Sequence, residues 1–199
     1  WRRNNLITDW QQSLLRVGLN YKASEHLLLR AGYARVETFA YGDIPLNGFG
    51  KNYSEHRLFE LAQLSQKEGK LSLTHRFVLE QRFVGRYSSA ALEKEDQFSF
   101  VNRARYMIRT QMPFSKTQMT VKGAYAVAYD EVFVGFGKNV SVNVFDQNRI
   151  GLLLGYRFNK KVAMECGFLN QTVQYGRQID GKSVFQYNNG LILSTSVNL

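Results

Sequence analysis

The sequence predicts an all-β protein, an antiparallel up-and-down transmembrane β-barrel of about ten strands. Three observations lead to this prediction. Apolar and polar residues alternate with a period of two along most of the chain, as they do in strands that bury one face. The alternating segments are longer than ordinary strands and reach the roughly 9–11 residues that a strand needs to cross a bilayer. Short and long connections also alternate, which is typical of outer-membrane barrels.

Nine full strands follow one another along the chain. We place them at residues 10–21, 26–40, 55–65, 70–87, 97–113, 118–133, 144–158, 162–175 and 184–199. Because single-chain barrels normally have an even number of strands, we interpret Trp1–Arg3 as the end of an earlier strand. Residues 1–199 are then a single transmembrane β-barrel domain that lacks the start of its first strand or strands. The expected total is ten, or twelve if two more strands precede residue 1.

The connections between these strands alternate in length. Short turns are predicted at residues 22–25, 66–69, 115–117 and 159–161, and long loops at 41–54, 88–96, 134–143 and 176–183. Outer-membrane barrels have short periplasmic turns and longer outer loops. We therefore expect the last strand to end at the periplasmic face.

The segment over residues 71–86 shows the two faces of a strand. The apolar set is Leu71, Leu73, Phe77, Leu79 and Phe83, and the polar set is Ser72, Thr74, Arg76, Glu80, Arg82 and Arg86. A soluble barrel turns its apolar set inward, whereas a membrane barrel turns it toward lipid. Arginines near mid-strand and aromatic residues near strand ends favour the membrane arrangement. A lipocalin-like soluble barrel is the alternative.

Composition excludes several other classes of protein. No apolar run of about 18 residues is present, so the sequence predicts no transmembrane helix. The single cysteine, Cys166, excludes an internal disulfide framework and a multi-cysteine metal site. We predict no metal site and no cofactor. The net charge of +10 arises from basic residues spread along the strands rather than gathered in a tract, so we expect no nucleic-acid partner.

Short segments in a particular order resemble a known family. They are Glu55-His56-Arg57, residues 76–82, Arg103-Ala104-Arg105, residues 129–133, residues 145–149 and Gly155-Tyr156. Together they resemble an uncharacterised outer-membrane β-barrel family of Bacteroidetes type that is catalogued only as a domain of unknown function. The resemblance covers nearly the whole chain. It implies an outer-membrane barrel and implies no activity.

The charged face, placed inside the barrel, predicts a lumen charge network. Its expected members are Arg57, Arg76, Glu80, Arg82, Arg103, Arg105, Glu131, Arg149 and Glu165. Glu80 is the expected counter-ion for arginines on its own strand and on the next one. A barrel of about ten strands is narrow enough for side chains to fill, so such pairs would plug the lumen. An anion path is the alternative interpretation of the arginine excess.

The functional prediction is an integral barrel of the bacterial outer membrane with a non-enzymatic, structural or accessory-subunit role. A narrow anion-preferring pore is the first alternative, and a lipid-modifying outer-membrane enzyme is the second. Such enzymes pair a histidine with a serine, and none of His26, His56 and His75 has a serine two residues on. We therefore predict no catalytic residues. The expected partners are membrane lipid, lipopolysaccharide and another outer-membrane protein subunit.

Overall fold

A computed structural model describes residues 2–4, 8–41, 46–115 and 122–198. Ten strands occur in these residues: β1 (Arg2–Asn4), β2 (Asp9–Lys22), β3 (Leu27–Thr38), β4 (Tyr53–Glu68), β5 (Leu71–Arg86), β6 (Gln97–Pro113), β7 (Gly123–Phe136), β8 (Phe145–Arg157), β9 (Val162–Ile179) and β10 (Lys182–Val197). They form one antiparallel sheet in chain order. The predicted all-β, up-and-down fold with ten strands is confirmed. No helix long and apolar enough to cross a membrane occurs in the described residues.

The sheet curls so that distant strands meet across its concave side, and its two edges stay open. Arg109 on β6 reaches Glu165 on β9, and Arg16 on β2 reaches Glu80 on β5. Within the described residues, β10 pairs only with β9, and β2 pairs with β3 and with the three residues of β1. Side chains along both edges are open, with Leu19 on β2 85% exposed and Leu191 on β10 84% exposed. The result is a half-barrel in which the described strands β2 and β10 are not paired with each other.

The last connection is shorter than the sequence pattern predicts. The expected long loop at residues 176–183 is wrong, because β9 continues to Ile179 and β10 begins at Lys182. Asp180 and Gly181 form the turn, with φ angles of 50° and 72°. Two successive positive φ angles are the signature of a type I′ hairpin turn, and Asp-Gly is one of its preferred sequences. The loops between β3 and β4, β5 and β6, and β7 and β8 are long, as expected.

One predicted turn falls mostly on residues that the structure does not describe. The turn at 115–117 and the strand start at 118 lie largely outside the described residues, which resume at Lys122. Strand β7 is described from Gly123 and extends to Phe136, three residues beyond the predicted end of that strand.

The two faces of the sheet have opposite chemistry. The concave face buries Glu80 and Phe133 completely. Apolar side chains on the other parity point outward, and Leu152, for example, is 59% exposed. Two apolar clusters also lie on the concave face, one of Phe59, Leu61 and Val78 and one of Tyr125, Val127 and Leu153. Charges therefore lie inside among apolar supports, and an apolar surface lies outside.

Candidate functional site: the arginine-lined interior

The centre of the concave face is a carboxylate surrounded by arginines. Glu80 Oε2 accepts from Arg103 Nη2 at 2.6 Å, and Glu80 Oε1 accepts from Arg105 Nη1 at 2.7 Å. Arg16 Nη2 on β2 lies 3.3 Å from Glu80 Oε1. The strand register explains the arrangement, because Glu80 on β5 is directly opposite Arg103 on β6.

A second carboxylate extends this group across the sheet. Glu131 Oε1 on β7 accepts from Arg105 Nη2 at 2.6 Å and from Arg76 Nη2 at 2.9 Å. Arg105 therefore bridges two carboxylates. We call Glu80, Arg16, Arg103, Arg105 and Glu131 the Glu80 cluster.

Two further carboxylates lie nearer the end of the sheet that carries the loops after β3, β5 and β7. Glu55 Oε1 accepts from Arg57 Nε at 2.6 Å and from Arg82 Nε at 2.5 Å. Asp146 Oδ2 accepts from Arg103 Nη1 at 2.7 Å. Arg103 thus donates to both Asp146 and Glu80. Neither Glu55 nor Asp146 is among the network members predicted from the sequence.

The two missed carboxylates differ in how visible they are in the sequence. Glu55 lies two residues before Arg57 and so shares its face of a strand, a signal that the sequence carries. Asp146 has the parity of outward residues on β8. The register shifts beside it, since Phe133 pairs with Gln147 and Val134 pairs with Phe145. A β-bulge of this kind redirects a side chain, and simple alternation gives no sign of it.

The opposite end of the interior contains a smaller group around Glu165 on β9. Glu165 Oε1 accepts from Arg109 Nη2 at 2.5 Å and from the Tyr125 hydroxyl at 3.0 Å. Tyr125 lies flat over Gly155 on the neighbouring strand. A Cβ at position 155 would lie 2.3 Å from its ring. Gly155 therefore makes room for the tyrosine that supports this ion pair.

Arg149 differs from the other predicted network residues. No carboxylate of the described residues lies within 4.0 Å of its guanidinium. Its Nη2 donates to Gln147 Oε1 at 3.4 Å, and its buried Nε has no hydrogen-bond partner among the described residues. Arg2 is similar, because its Nη1 donates at 2.7 Å to the neutral side chain of Gln171. Gln171 in turn donates to Gln147. We call Arg2 and Arg149 the Arg149 pair.

A single phenylalanine supports three of these arginines. The guanidinium carbons of Arg103, Arg105 and Arg149 lie 5.1, 4.5 and 4.7 Å from the centre of the Phe133 ring. Guanidinium groups are attracted to an aromatic face at such distances. Phe133 therefore holds Arg149 beside two arginines of the Glu80 cluster.

A cavity of about 360 Å³ opens above these residues, at the end that carries the long loops. Among the described residues that line it are seven arginines and two carboxylates, Glu55 and Asp146. Five glutamines line it as well. The cavity is therefore polar and positively charged.

The family model described as "Protein of unknown function (DUF2490)" matches residues 1–180 of the chain. The chain belongs to this DUF2490 family. Neither a curated protein nor a solved structure matches the sequence. The predicted resemblance to a family catalogued only as a domain of unknown function is thereby confirmed.

The imidazole rings of the three histidines in this DUF2490 chain contact groups other than serine hydroxyls. The Nδ1 of His75 lies 2.8 Å from the Tyr106 hydroxyl, and that of His26 lies 3.1 Å from the backbone carbonyl of Ser65. His56 Nδ1 contacts the Tyr33 hydroxyl at 2.5 Å. Within the described residues, no three His, Cys, Asp or Glu side chains are grouped so as to hold a metal ion.

Polar side chains on the convex face are paired across neighbouring strands. Gln81 on β5 donates to Glu60 on β4 at 3.2 Å, and Asn170 on β9 donates to Asn189 on β10 at 2.7 Å. Asn148 on β8 donates to Asp130 on β7. Each of these side chains thus has at least one hydrogen-bond partner on a surface that is otherwise apolar, although the Oε1 of Gln81 has none among the described residues.

Proposed function

We propose that this DUF2490 chain is an integral barrel of the bacterial outer membrane with a structural or accessory role and without enzymatic activity. One observation carries the proposal: apolar side chains cover the convex face, while ion pairs fill the concave one. Leu152 and Phe77 point outward, and Glu80 is wholly buried. Membrane barrels have this arrangement, and soluble barrels have its reverse.

The paired polar side chains on the convex face support a lipid environment. An unsatisfied polar group in the hydrocarbon region costs several kcal/mol. Glu60 with Gln81 and Asn170 with Asn189 each offer a partner on the adjacent strand. Such pairing lowers the cost of placing these side chains in a bilayer.

The ion pairs support an interior closed to solutes. The Glu80 cluster links β2, β5, β6 and β7 across the concave side. A barrel of about ten strands has an interior that side chains can fill, and open aqueous channels belong to much larger barrels. We propose that the Glu80 cluster plugs the lumen.

The open edges of β2 and β10 support a strand-donating partner. Unpaired backbone groups do not face lipid in stable membrane proteins. Both edges lack a second strand along most of their described length. We propose that the assembled barrel has further strands beside β2 and β10, and another outer-membrane subunit is one source of them.

The membrane proposal is tested with two matched arginine substitutions. Leu152 lies on the outward face of β8, and Val142 lies in the loop after β7, where it is also partly exposed. An arginine at the bilayer midplane costs about 2–4 kcal/mol, so Leu152→Arg is expected to reduce the heat-modifiable band in outer-membrane fractions. Val142→Arg is expected to assemble normally. Equal assembly of the two variants would contradict a lipid-facing convex surface.

The pore alternative is tested by conductance. Planar-bilayer recordings of the pure protein are expected to show no steady large channel if the Glu80 cluster closes the lumen. The arginine excess of the cavity is the observation that favours an anion-preferring pore. Large, anion-selective steps would favour that pore over a closed barrel.

A further inference from the structure

The Arg149 pair lies in a setting that is unusual for partly buried arginines. Buried charges are normally paired with an opposite charge, because removing an ion from water is costly. Each of the carboxylates Glu55, Glu80, Glu131 and Asp146 is bound by two or more arginines, yet among the described residues none of them forms an ion pair with Arg2 or Arg149. Within that part of the chain, the two positive charges therefore share only neutral amide acceptors.

Those amide acceptors are already in use. Gln171 Oε1 accepts from Arg2, and Gln147 Oε1 accepts from both Gln171 and Arg149. The buried Nε of Arg149 finds no acceptor among the described residues, and the same holds for the Nε of Arg16 and of Arg76. Arg16 and Arg76 each have a carboxylate partner, and Arg149 has none within that part of the chain. The pair therefore has donor capacity that these residues do not satisfy, and both arginines line the cavity.

We propose that the cavity binds a sugar-sized polar molecule that carries an oxyanion, a phosphate or a carboxylate, with the oxyanion on Arg2 and Arg149. Guanidinium groups bind these oxyanions through two parallel hydrogen bonds. The volume of about 360 Å³ lies within the range of roughly 300–1,000 Å³ that is typical of small-molecule sites.

The rest of the lining suits the uncharged part of such a molecule. Gln174, Asn143 and Tyr53 line the cavity together with Gln12. Amide and phenol groups both donate and accept hydrogen bonds, which matches the hydroxyl groups of a sugar. The cavity opens toward the long loops, so the ligand would enter from that side of the barrel.

The test measures binding to the full chain refolded in detergent micelles. The probes are a hexose phosphate, a hexuronate and the uncharged hexose, with binding measured by calorimetry and by the shift in the thermal unfolding midpoint. We expect at least one of the two charged probes to bind and to raise the midpoint, and the hexose to do neither. Which charged probe binds more tightly distinguishes a phosphate from a carboxylate ligand.

Two arginine variants and one control locate the site. Arg149→Gln is expected to weaken binding of the charged probe at least tenfold while leaving the midpoint without ligand no lower than in the wild type. Arg2→Gln serves as the second variant if Arg149→Gln does not fold. Lys161→Gln, which removes an exposed positive charge from the turn between β8 and β9, is expected to bind like the wild type. Absence of binding by both charged probes, or equal binding by all variants, would overturn the proposal.

Discussion

The Glu80 cluster and the Arg149 pair meet at Phe133, which contacts Arg149 as well as Arg103 and Arg105. The two groups differ in what neutralises their charge. In the Glu80 cluster, three arginines share two carboxylates at distances of 2.6–3.3 Å. In the Arg149 pair, two arginines share the amide oxygens of Gln147 and Gln171. The arginines of the Glu80 cluster all have carboxylate partners, whereas within the described residues those of the Arg149 pair have none. Arginines of the first kind hold strands together, and we propose that those of the second kind bind a ligand.

The largest effect on stability is expected when a carboxylate of the Glu80 cluster is neutralised. Glu80→Gln keeps the shape of the side chain but leaves Arg16, Arg103 and Arg105 with less compensation. Breaking a buried ion pair costs about 3–5 kcal/mol, and water in the interior places the expected loss near the lower end. The urea unfolding midpoint of the refolded protein is expected to fall clearly. Glu93→Gln in the loop after β5 is the control. Equal midpoints for the two variants would contradict a stabilising role of the Glu80 ion pairs.

A smaller and more direct contrast comes from removing one arginine of each kind. Arg105 donates to both Glu80 and Glu131, so Arg105→Gln is expected to lower the free energy of unfolding by about 1–3 kcal/mol. Arg149→Gln removes a charge that has no carboxylate partner among the described residues, and it is expected to leave the urea midpoint unchanged or raised. Equal losses in the two variants would show that the two groups of arginines are equivalent.

A third variant gives the Arg149 pair a carboxylate of its own. Gln147 is buried and already contacts Arg149 and Gln171. Gln147→Glu is expected to raise the free energy of unfolding by about 1 kcal/mol, since a hydrogen bond to a charged partner is stronger than one to an amide. The same variant is expected to lose affinity for a charged probe in calorimetry. If the variant is stabilised but binds the probe as tightly as the wild type, ligand binding does not depend on the missing carboxylate partner.

The smallest effect on stability is expected at a solvent-exposed carboxylate, that of Asp96. Asp96 precedes β6, and hydrogen bonds from the hydroxyl and the backbone N–H of Ser88 lower its pKa below the usual 3.8. Because the pKa is lower in the folded state, the stabilisation is complete above about pH 4 and is lost as the pH falls through the folded-state pKa. Ser88→Ala is expected to move the pKa of Asp96 part of the way back toward 3.8 in an NMR titration. Ser89→Ala is the control, and an unchanged pKa in Ser88→Ala would contradict the assignment.

Alternation of residue types is enough to predict the strands and the identity of most interior charges. A period of two is a direct consequence of strand geometry, so the sequence alone assigns Glu80, Arg103 and Arg105 to one face. It does not assign Asp146, because the bulge that redirects this side chain depends on pairing with β7. The sequence alone also does not indicate the partners of Arg149. An odd or even position along a strand indicates which face of the sheet a side chain lies on. The curl of the sheet determines which side chains meet across the concave side.

The connection before β10 shows a different limit of sequence patterns. The alternation of short and long connections along the chain predicts a long loop at residues 176–183. The Asp180-Gly181 dipeptide carries the opposite signal, since it favours a two-residue hairpin turn. The local turn preference outweighs the global pattern, and β9 and β10 both continue up to this turn.

That turn also has a kinetic consequence. Strands β9 and β10 pair almost without interruption from the turn to Val162 and Val197, and the hairpin closes without a long loop. Hairpins with local contacts form within about 1–10 μs, well before pairings that require long loops to close. The β4–β5 hairpin has an equally short connection, Gly69-Lys70, and pairs without interruption. Both hairpins can therefore form early and present strand edges on which the neighbouring strands pair. Assembly of the sheet would then spread outward from these two hairpins, and β6, β7 and β8 would close the gap between them.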